Sequence, residues 1–348
     1  MIRSTKGLMY GTAALAWGVF ATAAHADPVT VQLFYTTFGG GANVNAVTSA
    51  TLNGNALTFS GNHNIATTTG ADGLLFLPDG NLAIAGQNAN NPAQVHEITT
   101  AGTAVASAST TAGSNGSYHL ALSSNATNAN LYTLCNTNCG NNFTRFTLSG
   151  GGLSGNGTQI TVTANAGSAQ VTGLIFDPVN STWYYGATPD NSISGDFGTV
   201  SFSGNTATLT RLLSNVPAHG VTFDPFTNDI IINGGTEIEQ FDPTTGMIVS
   251  TVTVNGDEFD QAAVDGKGHL FVASNNGNLV GIDYDNATGH LINGAGATFA
   301  TAFLAANLDD IAPLSGAGAP PVPEPASLAL LGSSLAGFGL LRRRRDQA

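Results

Sequence analysis

Apolar residues in this chain come in short runs, each led by a polar residue and a small one and each closed by a turn. The clearest copies are Asp72-Gly73-Leu74-Leu75-Phe76-Leu77-Pro78, Thr172-Gly173-Leu174-Ile175-Phe176-Asp177-Pro178 and His219-Gly220-Val221-Thr222-Phe223-Asp224-Pro225. Weaker copies start at His119, Asp260 and Asp309. Short apolar runs bounded by Gly, Pro, Asn and Asp predict strands rather than helices. A second apolar run follows most copies, as in Asn81–Ala85, Trp183–Gly186, Asp229–Ile232 and His269–Ala273. A third comes next, as in Glu237–Phe241 and Asn278–Asp283, and Pro243–Gly246 and Asn286–Gly289 then supply turns. Each unit therefore predicts a four-stranded antiparallel meander.

The six starts lie 47, 53, 47, 41 and 49 residues apart. A period of roughly 40–50 residues with four strands per unit predicts an all-β β-propeller of about six blades. A single blade cannot bury both of its faces, so the units must pack around an axis. The last start has too little chain after it for a whole blade. Strands near Val29–Tyr35, Ala46–Leu52 and Ala56–Ser60 are expected to complete it, joining the two ends of the ring and protecting its edges. Five or seven blades, or an array of β-sandwiches, are the alternatives. The "G-φ-x-F-D-P" pattern, with φ aliphatic, resembles NHL-repeat, lactonase-like and streptogramin-lyase-like propellers between Val29 and Leu314.

The two ends of the chain follow different rules. Arg3 and Lys6 precede an apolar stretch from Leu8 to Ala24, and Ala24-His25-Ala26 presents small residues at a cleavage position. Residues 1–26 thus predict a helical signal peptide cut between Ala26 and Asp27, with a retained helix as the alternative. At the other end, Val322-Pro323-Glu324-Pro325 precedes an apolar run that Arg342 to Arg345 terminate. Prolines flanking Glu324 hold that stretch extended. The 16 residues from Ala326 to Leu341 would span about 24 Å as a helix, short of a bilayer core of ~30 Å. That length suits a transient inner-membrane anchor, with the arginines on the cytoplasmic side. An ordinary C-terminal anchor is the alternative, though it has no need of Pro-Glu-Pro. The tail resembles the PEP-CTERM sorting signal of Gram-negative bacteria. The resemblance implies recognition by an exosortase, loss of the tail and release to the cell surface or an exopolysaccharide matrix. The expected division is a signal peptide over 1–26, a propeller over 27–316, and a linker with the sorting signal over 317–348.

Between these ends charge is sparse and one-sided. Charged residues make up 9% of the chain, against about 25% in ordinary soluble proteins. From Asp27 to Pro321 only Arg145, Arg211 and Lys267 are basic, against 20 of the 22 acidic residues, a net charge of −17. Such a surface repels nucleic acid and anionic lipid and attracts divalent cations. Cys135 and Cys139 are the only cysteines. Outside the cytoplasm a pair so closely spaced predicts a disulfide closing a tight loop, since zinc would need further ligands nearby.

The repeat register brings Asp72, His119, Thr172, His219, Asp260 and Asp309 to equivalent positions ahead of the innermost strands. In a propeller that position lies near the mouth of the central channel. Two His and three Asp on one axis can bind a divalent metal, calcium or zinc, or supply a general acid and base. They can equally fill the channel as hydrogen-bonded structural residues. The Asp-Pro pairs at 177–178, 224–225 and 242–243 read as turn formers. His63, His96, His269 and His290 read as packing or surface residues, and Asp257-Glu258 and Asp283–Asp285 as acidic loop groups. No G-x-S-x-G elbow, H-E-x-x-H pair or phosphate loop is present. Two functions remain from different classes. The first is a surface-delivered binding or matrix component of an exopolysaccharide or biofilm layer. The second is an extracellular metal-dependent enzyme, a lactonase-like hydrolase or lyase, working at the channel mouth.

Overall fold

A computed structural model describes residues 28–37, 43–68, 70–86, 94–110, 117–135, 142–164, 170–188, 192–285, 289–291 and 299–312. The expected signal helix, the tail helix, the sorting motif, the Ala26–Asp27 junction and Cys139 lie outside the described residues. Among the described residues no helix is long and apolar enough to cross a membrane.

The six predicted repeats form six antiparallel sheets around an axis. Blade I begins with β1 (Val29–Thr37), β2 (Asn43–Asn53), β3 (Ala56–Ser60) and β4 (His63–Thr67). Blade II is β5 (Leu74–Phe76), β6 (Leu82–Ile84), β7 (Gln94–Ile98) and β8 (Ala104–Ser109). Blade III is β9 (Ser117–Leu122), β10 (Asn130–Cys135), β11 (Phe143–Thr147) and β12 (Thr158–Ala164). Blade IV is β13 (Gly173–Asp177), β14 (Thr182–Ala187), β15 (Gly195–Ser203) and β16 (Thr206–Val216). Blade V is β17 (Gly220–Asp224), β18 (Asp229–Gly234), β19 (Glu237–Asp242) and β20 (Met247–Thr253). Blade VI is β21 (Phe259–Val264), β22 (His269–Ser274), β23 (Asn278–Asp285), β24 (His290–Leu291) and β25 (Phe299–Phe303), with β24 and β25 both lying along β23.

The last strand, β26 (Leu308–Ile311), returns to blade I and pairs antiparallel with β1, giving the order β26-β1-β2-β3. The ring is therefore closed by one strand from the end of the domain and four from its beginning; three of these the sequence led one to expect, and β4, paired with β2, is the addition. The innermost strands β5, β9, β13, β17, β21 and β26 touch in that cyclic order, and β26 touches β5. Blades III and IV are joined a second time at the rim, where β12 pairs parallel with β16.

Burial explains the strand patterns. Every residue of β17, β18 and β22 is buried, because inner strands are covered by blades on both faces. Farther from the axis, β16 alternates buried and exposed positions along its first half. The core is a set of inter-blade layers; Ile231, Val252 and Val264 of blades V and VI share one, Leu52, Phe271 and Leu308 another. The Asp-Pro turns form as expected: Asp177 Oδ1 accepts from Val179 N at 2.8 Å and Asp224 Oδ1 from Phe226 N at 3.0 Å.

Candidate functional site

Each hub side chain lies just before an inner strand or within its first three residues, and at Asp72, Thr172 and His219 the glycine that follows explains how closely neighbouring strands pack. A Cβ on Gly73 would sit 2.7 Å from His119 Cα, and one on Gly173 would sit 2.9 Å from the carbonyl oxygen of His219. A Cβ on Gly220 would collide with the carbonyl oxygen of Asp260. At these three positions the residue after the hub position thus leans on the backbone of the hub position in the next blade, and only glycine leaves room. This is the physical content of the glycine in the repeat.

β-Bulges then aim the side chains. Partner numbers slip between Thr133↔Leu120 and Cys135↔Ser117, leaving an extra residue on β9 where His119 sits. The same happens on β21 between Phe259↔Ser274 and Ala262↔Val272, around Asp260. It happens again on β26 between Ile311↔Tyr35 and Leu308↔Thr37, so that Asp309 and Asp310 together face Thr36. A bulge turns a side chain out of the alternation of its strand, and here three bulges turn theirs to the hub.

The result is a sealed group of ionisable side chains. Asp72, His119, His219, Asp260 and Asp310 are each at most 2% exposed. His119 Nε2 lies 3.0 Å from Asp260 Oδ1 and 3.2 Å from Asp310 Oδ1, while His219 Nε2 lies 3.1 Å from the same Asp260 oxygen. The two imidazoles meet edge to face, 5.5 Å between ring centres. His219 Nδ1 is 2.8 Å from the Thr188 carbonyl oxygen, which can only accept, so Nδ1 carries a proton and donates. Asp72 Oδ1 accepts from Gly73 N at 2.8 Å. Thr36, fully buried, donates to the Asp72 carbonyl at 2.8 Å and accepts from Asp310 N at 3.0 Å. With its amide turned to satisfy its neighbours, Asn275 donates to Asp260 Oδ2 at 3.1 Å and to the Leu308 carbonyl at 3.0 Å.

Of the six residues the repeat register selects, Asp72, His119, His219, Asp260 and Asp309 converge on the hub. Thr172 is buried beside them, but its hydroxyl donates to the His219 carbonyl at 2.9 Å and so fixes backbone. Asp310 joins the cluster without having been selected; only Asp309 matched the strand-leading position, and the bulge is what admits its neighbour. Two of the residues read as bystanders also differ. His269 and Asp283 are not isolated surface groups: His269 is buried, with Nδ1 2.7 Å from Asp265 Oδ2 and Nε2 3.7 Å from Asp283 Oδ1. Asp283 lies within β23 rather than in a loop.

Proton affinities follow from this crowding. Burial, with the nearby Asp310 carboxylate, raises Asp72 well above the usual carboxylate range, and burial with Asp72 and Asp260 does the same to Asp309. Burial pushes Asp260 the same way, but hydrogen-bond and charge interactions with His119 and His219 outweigh it and hold Asp260 well below the range. For His119 burial disfavours the charged ring, yet Asp310 and Asp260 prevail and raise it well above an ordinary imidazole. One set of ligand atoms, from His119, His219 and Asp260, lies within 4.8 Å of one another, and so does a second from Asp72, His119 and Asp310. Just beyond the cluster all six inner strands line a small axial pocket; Leu75, Leu122, Ile175, Val221, Ala262 and Ile311 are among its walls.

Known proteins agree with this architecture and with the sorting signal. The model of the PEP-CTERM protein-sorting motif matches residues 321–345. No curated protein matches the chain in sequence. Among solved structures, a chain in the crystal structure of a nidogen/laminin complex superposes with a TM-score of 0.56 at 14% identity, covering 82% of this chain and 98% of that one. The periplasmic gluconolactonase PpgL of Pseudomonas aeruginosa superposes with a TM-score of 0.54 at 13% identity, covering 81% and 98%. At such identities the likeness is one of fold. The chain is a β-propeller that ends in a PEP-CTERM sorting motif, the mark of a bacterial protein exported for exosortase-type processing to the cell surface or beyond.

Proposed function

We propose that this protein is a binding or structural component of an extracellular polysaccharide or biofilm matrix. In this reading residues 1–26 are removed on export, the propeller over 27–316 does the work, and the segment over 317–348 anchors transiently in the inner membrane until exosortase-type cleavage frees it. The sorting motif over 321–345 carries the proposal. The closed state of the hub supports it, since a substrate cannot touch His119 or His219 at 1–2% exposure without opening the ring. An acidic exterior poor in lysine and arginine and rich in amides and hydroxyls suits hydrated carbohydrate. The test is fractionation of cells carrying the wild-type chain or Pro323→Ala/Pro325→Ala. Wild-type protein should appear in the polysaccharide fraction with its tail removed, and the double variant should stay in the membrane. Equal distribution of both, with intact tails, would overturn the proposal.

A second reading keeps one observation in its favour: two histidines and a carboxylate stand over an axial cavity. It makes the protein an extracellular metal-dependent hydrolase or lyase of the lactonase kind. Lactone opening by purified protein, abolished in His219→Gln, would replace the first reading with this one. Absence of turnover with divalent metal supplied would remove it.

A further inference from the structure

The first and last strands of the propeller join the rest of the chain on one face. Strand β26 starts at the hub with Leu308 and carries the chain away from it; Ala312 continues that course, its N–H donating to the Phe34 carbonyl at 2.9 Å. Strand β1 runs antiparallel to β26, so Thr37 stands opposite Leu308 near the hub and Val29 lies at the far end. The junctions with the expected signal peptide and with the sorting tail therefore both sit on the face remote from the hub. Asp27 and Pro28 alone separate β1 from the expected cleavage point, and the 13 residues 313–325 separate Ala312 from the apolar run that begins at Ala326. Those 13 residues reach at most about 45 Å at ~3.5 Å each.

Blades IV and V expose apolar side chains on the same face. Inner strands end there in hairpin turns, whose tips are ordinarily polar. In blade IV the residue after Asp177-Pro178 is Val179, 59% exposed, and in blade V the residue after Asp224-Pro225 is Phe226, 38% exposed. Met247 opens β20 at this end and is 63% exposed. Near Val179 stands a cluster of half-buried rings, with Trp183 5.2 Å from Phe176 and 5.4 Å from Phe202 between ring centres. Ile193, exposed at the hub end of the same blade IV, provides a contrast.

We propose that this face, centred on Val179, Trp183 and Phe226, rests on a zwitterionic lipid surface while the tail anchors the chain, and that the hub side then points away from the membrane. The short connections at both junctions hold the face within reach of the bilayer. Tryptophan and phenylalanine carry apolar area into the membrane–water interface, where the indole N–H still meets water. The contact is apolar rather than electrostatic: the domain's net charge of −17, with Asp242 at this same end, rejects an anionic surface. The inference rests on the transient anchoring proposed above and is independent of the matrix role.

The experiment uses the exported form, residues 27–348, in which Trp183 is the only tryptophan. It is added to phosphatidylcholine vesicles carrying a nitroxide quencher near the headgroup. The chain should sediment with the vesicles through its tail, and Trp183 emission should fall about twofold against quencher-free vesicles. Val179→Asp/Phe226→Asp, in exposed turns, should still sediment but lose the quenching. Trp183→Phe/Ile193→Trp, which moves the indole to the hub end, should sediment and stay unquenched. Hydrogen exchange of the wild type covers a variant that does not fold: vesicles should slow exchange at Val179–Ser181 and Phe226–Asn228 and leave Ser192–Ser194 unchanged. Sedimentation of the wild type without quenching overturns the docking and leaves the anchor. Loss of both overturns the anchor and the docking with it. Quenching that survives Val179→Asp/Phe226→Asp, or that is equal at positions 183 and 193, overturns the assigned face.

Discussion

Strand β21 carries a buried His–Asp group at each end, and the two are built on opposite principles. At its start Asp260 meets His119 and His219, which arrive from blades III and V. Beyond its end Asp265 meets His269, whose other ring nitrogen faces Asp283, all three from the same blade. The second group fastens a turn: Asp265 Oδ1 accepts from Lys267 N at 2.7 Å and from His269 N at 3.2 Å, while its other oxygen holds the imidazole. Those contacts span four residues and form as soon as the hairpin does. The hub contacts exist only when the ring is complete. The same residue types thus serve local order at one end of a strand and global closure at the other.

The largest expected effect tests that contrast directly. Asp260→Ala should cost about 3–5 kcal/mol, because it strips two buried imidazoles of their shared carboxylate. Asp265→Ala should cost about 1–3 kcal/mol, the loss of a capped turn and one histidine partner. Urea denaturation of the two variants decides it, and the reverse order would break the comparison. A smaller effect sharpens it with glycine. Gly73→Ala drives a Cβ against the His119 backbone and should cost roughly 1–3 kcal/mol as strand β5 is displaced from β9. Gly246→Ala, in a rim turn at φ +72° with open space around it, should cost only about 1 kcal/mol for the strained φ. Equal losses in thermal melts would mean that the hub is no tighter than the rim.

The contrast also explains what could be read beforehand. A polar residue leading an apolar run is a property of each inner strand, with glycine after it in the clearest copies, so the register of Asp72, His119, His219, Asp260 and Asp309 was visible from the chain alone. So was the need for the first strands to complete the last blade. Asp310 was hidden because a bulge is an offset between two strands far apart in sequence, and nothing in Leu308–Ile311 alone announces it. Thr172 was selected by register, yet its short side chain reaches backbone carbonyls before it reaches the axis. The Asp265–His269 pair was legible in principle, since four residues across a Gly-containing turn place the two side by side, but it lies at the end of the strand away from the repeated strand-leading position. Asp283 reads as part of an acidic loop only while the length of β23 is unknown.

A third buried charge, lacking any histidine, extends the comparison at its weakest end. Glu239 of β19 has one carboxylate oxygen buried without a partner, and burial together with the neighbouring Glu237 raises its pKa to about 7. The folded chain therefore binds this proton more tightly than the unfolded chain, whose glutamate titrates near 4.5. Below pH 4.5 the group is protonated in both states and contributes nothing; from there to about pH 7 folding loses stability as pH rises, and above pH 7 the loss is complete. Glu239→Gln removes the charge and keeps the shape. It should match the wild type at pH 4 and exceed it by about 1 kcal/mol at pH 8, after allowance for the residue's partial exposure. Denaturation curves at the two pH values measure the difference between variant and wild type, so titrations elsewhere, the hub included, cancel. A variant less stable than the wild type at pH 8 would show that the Glu239 carboxylate has found a partner of its own, as the histidine-bound aspartates have.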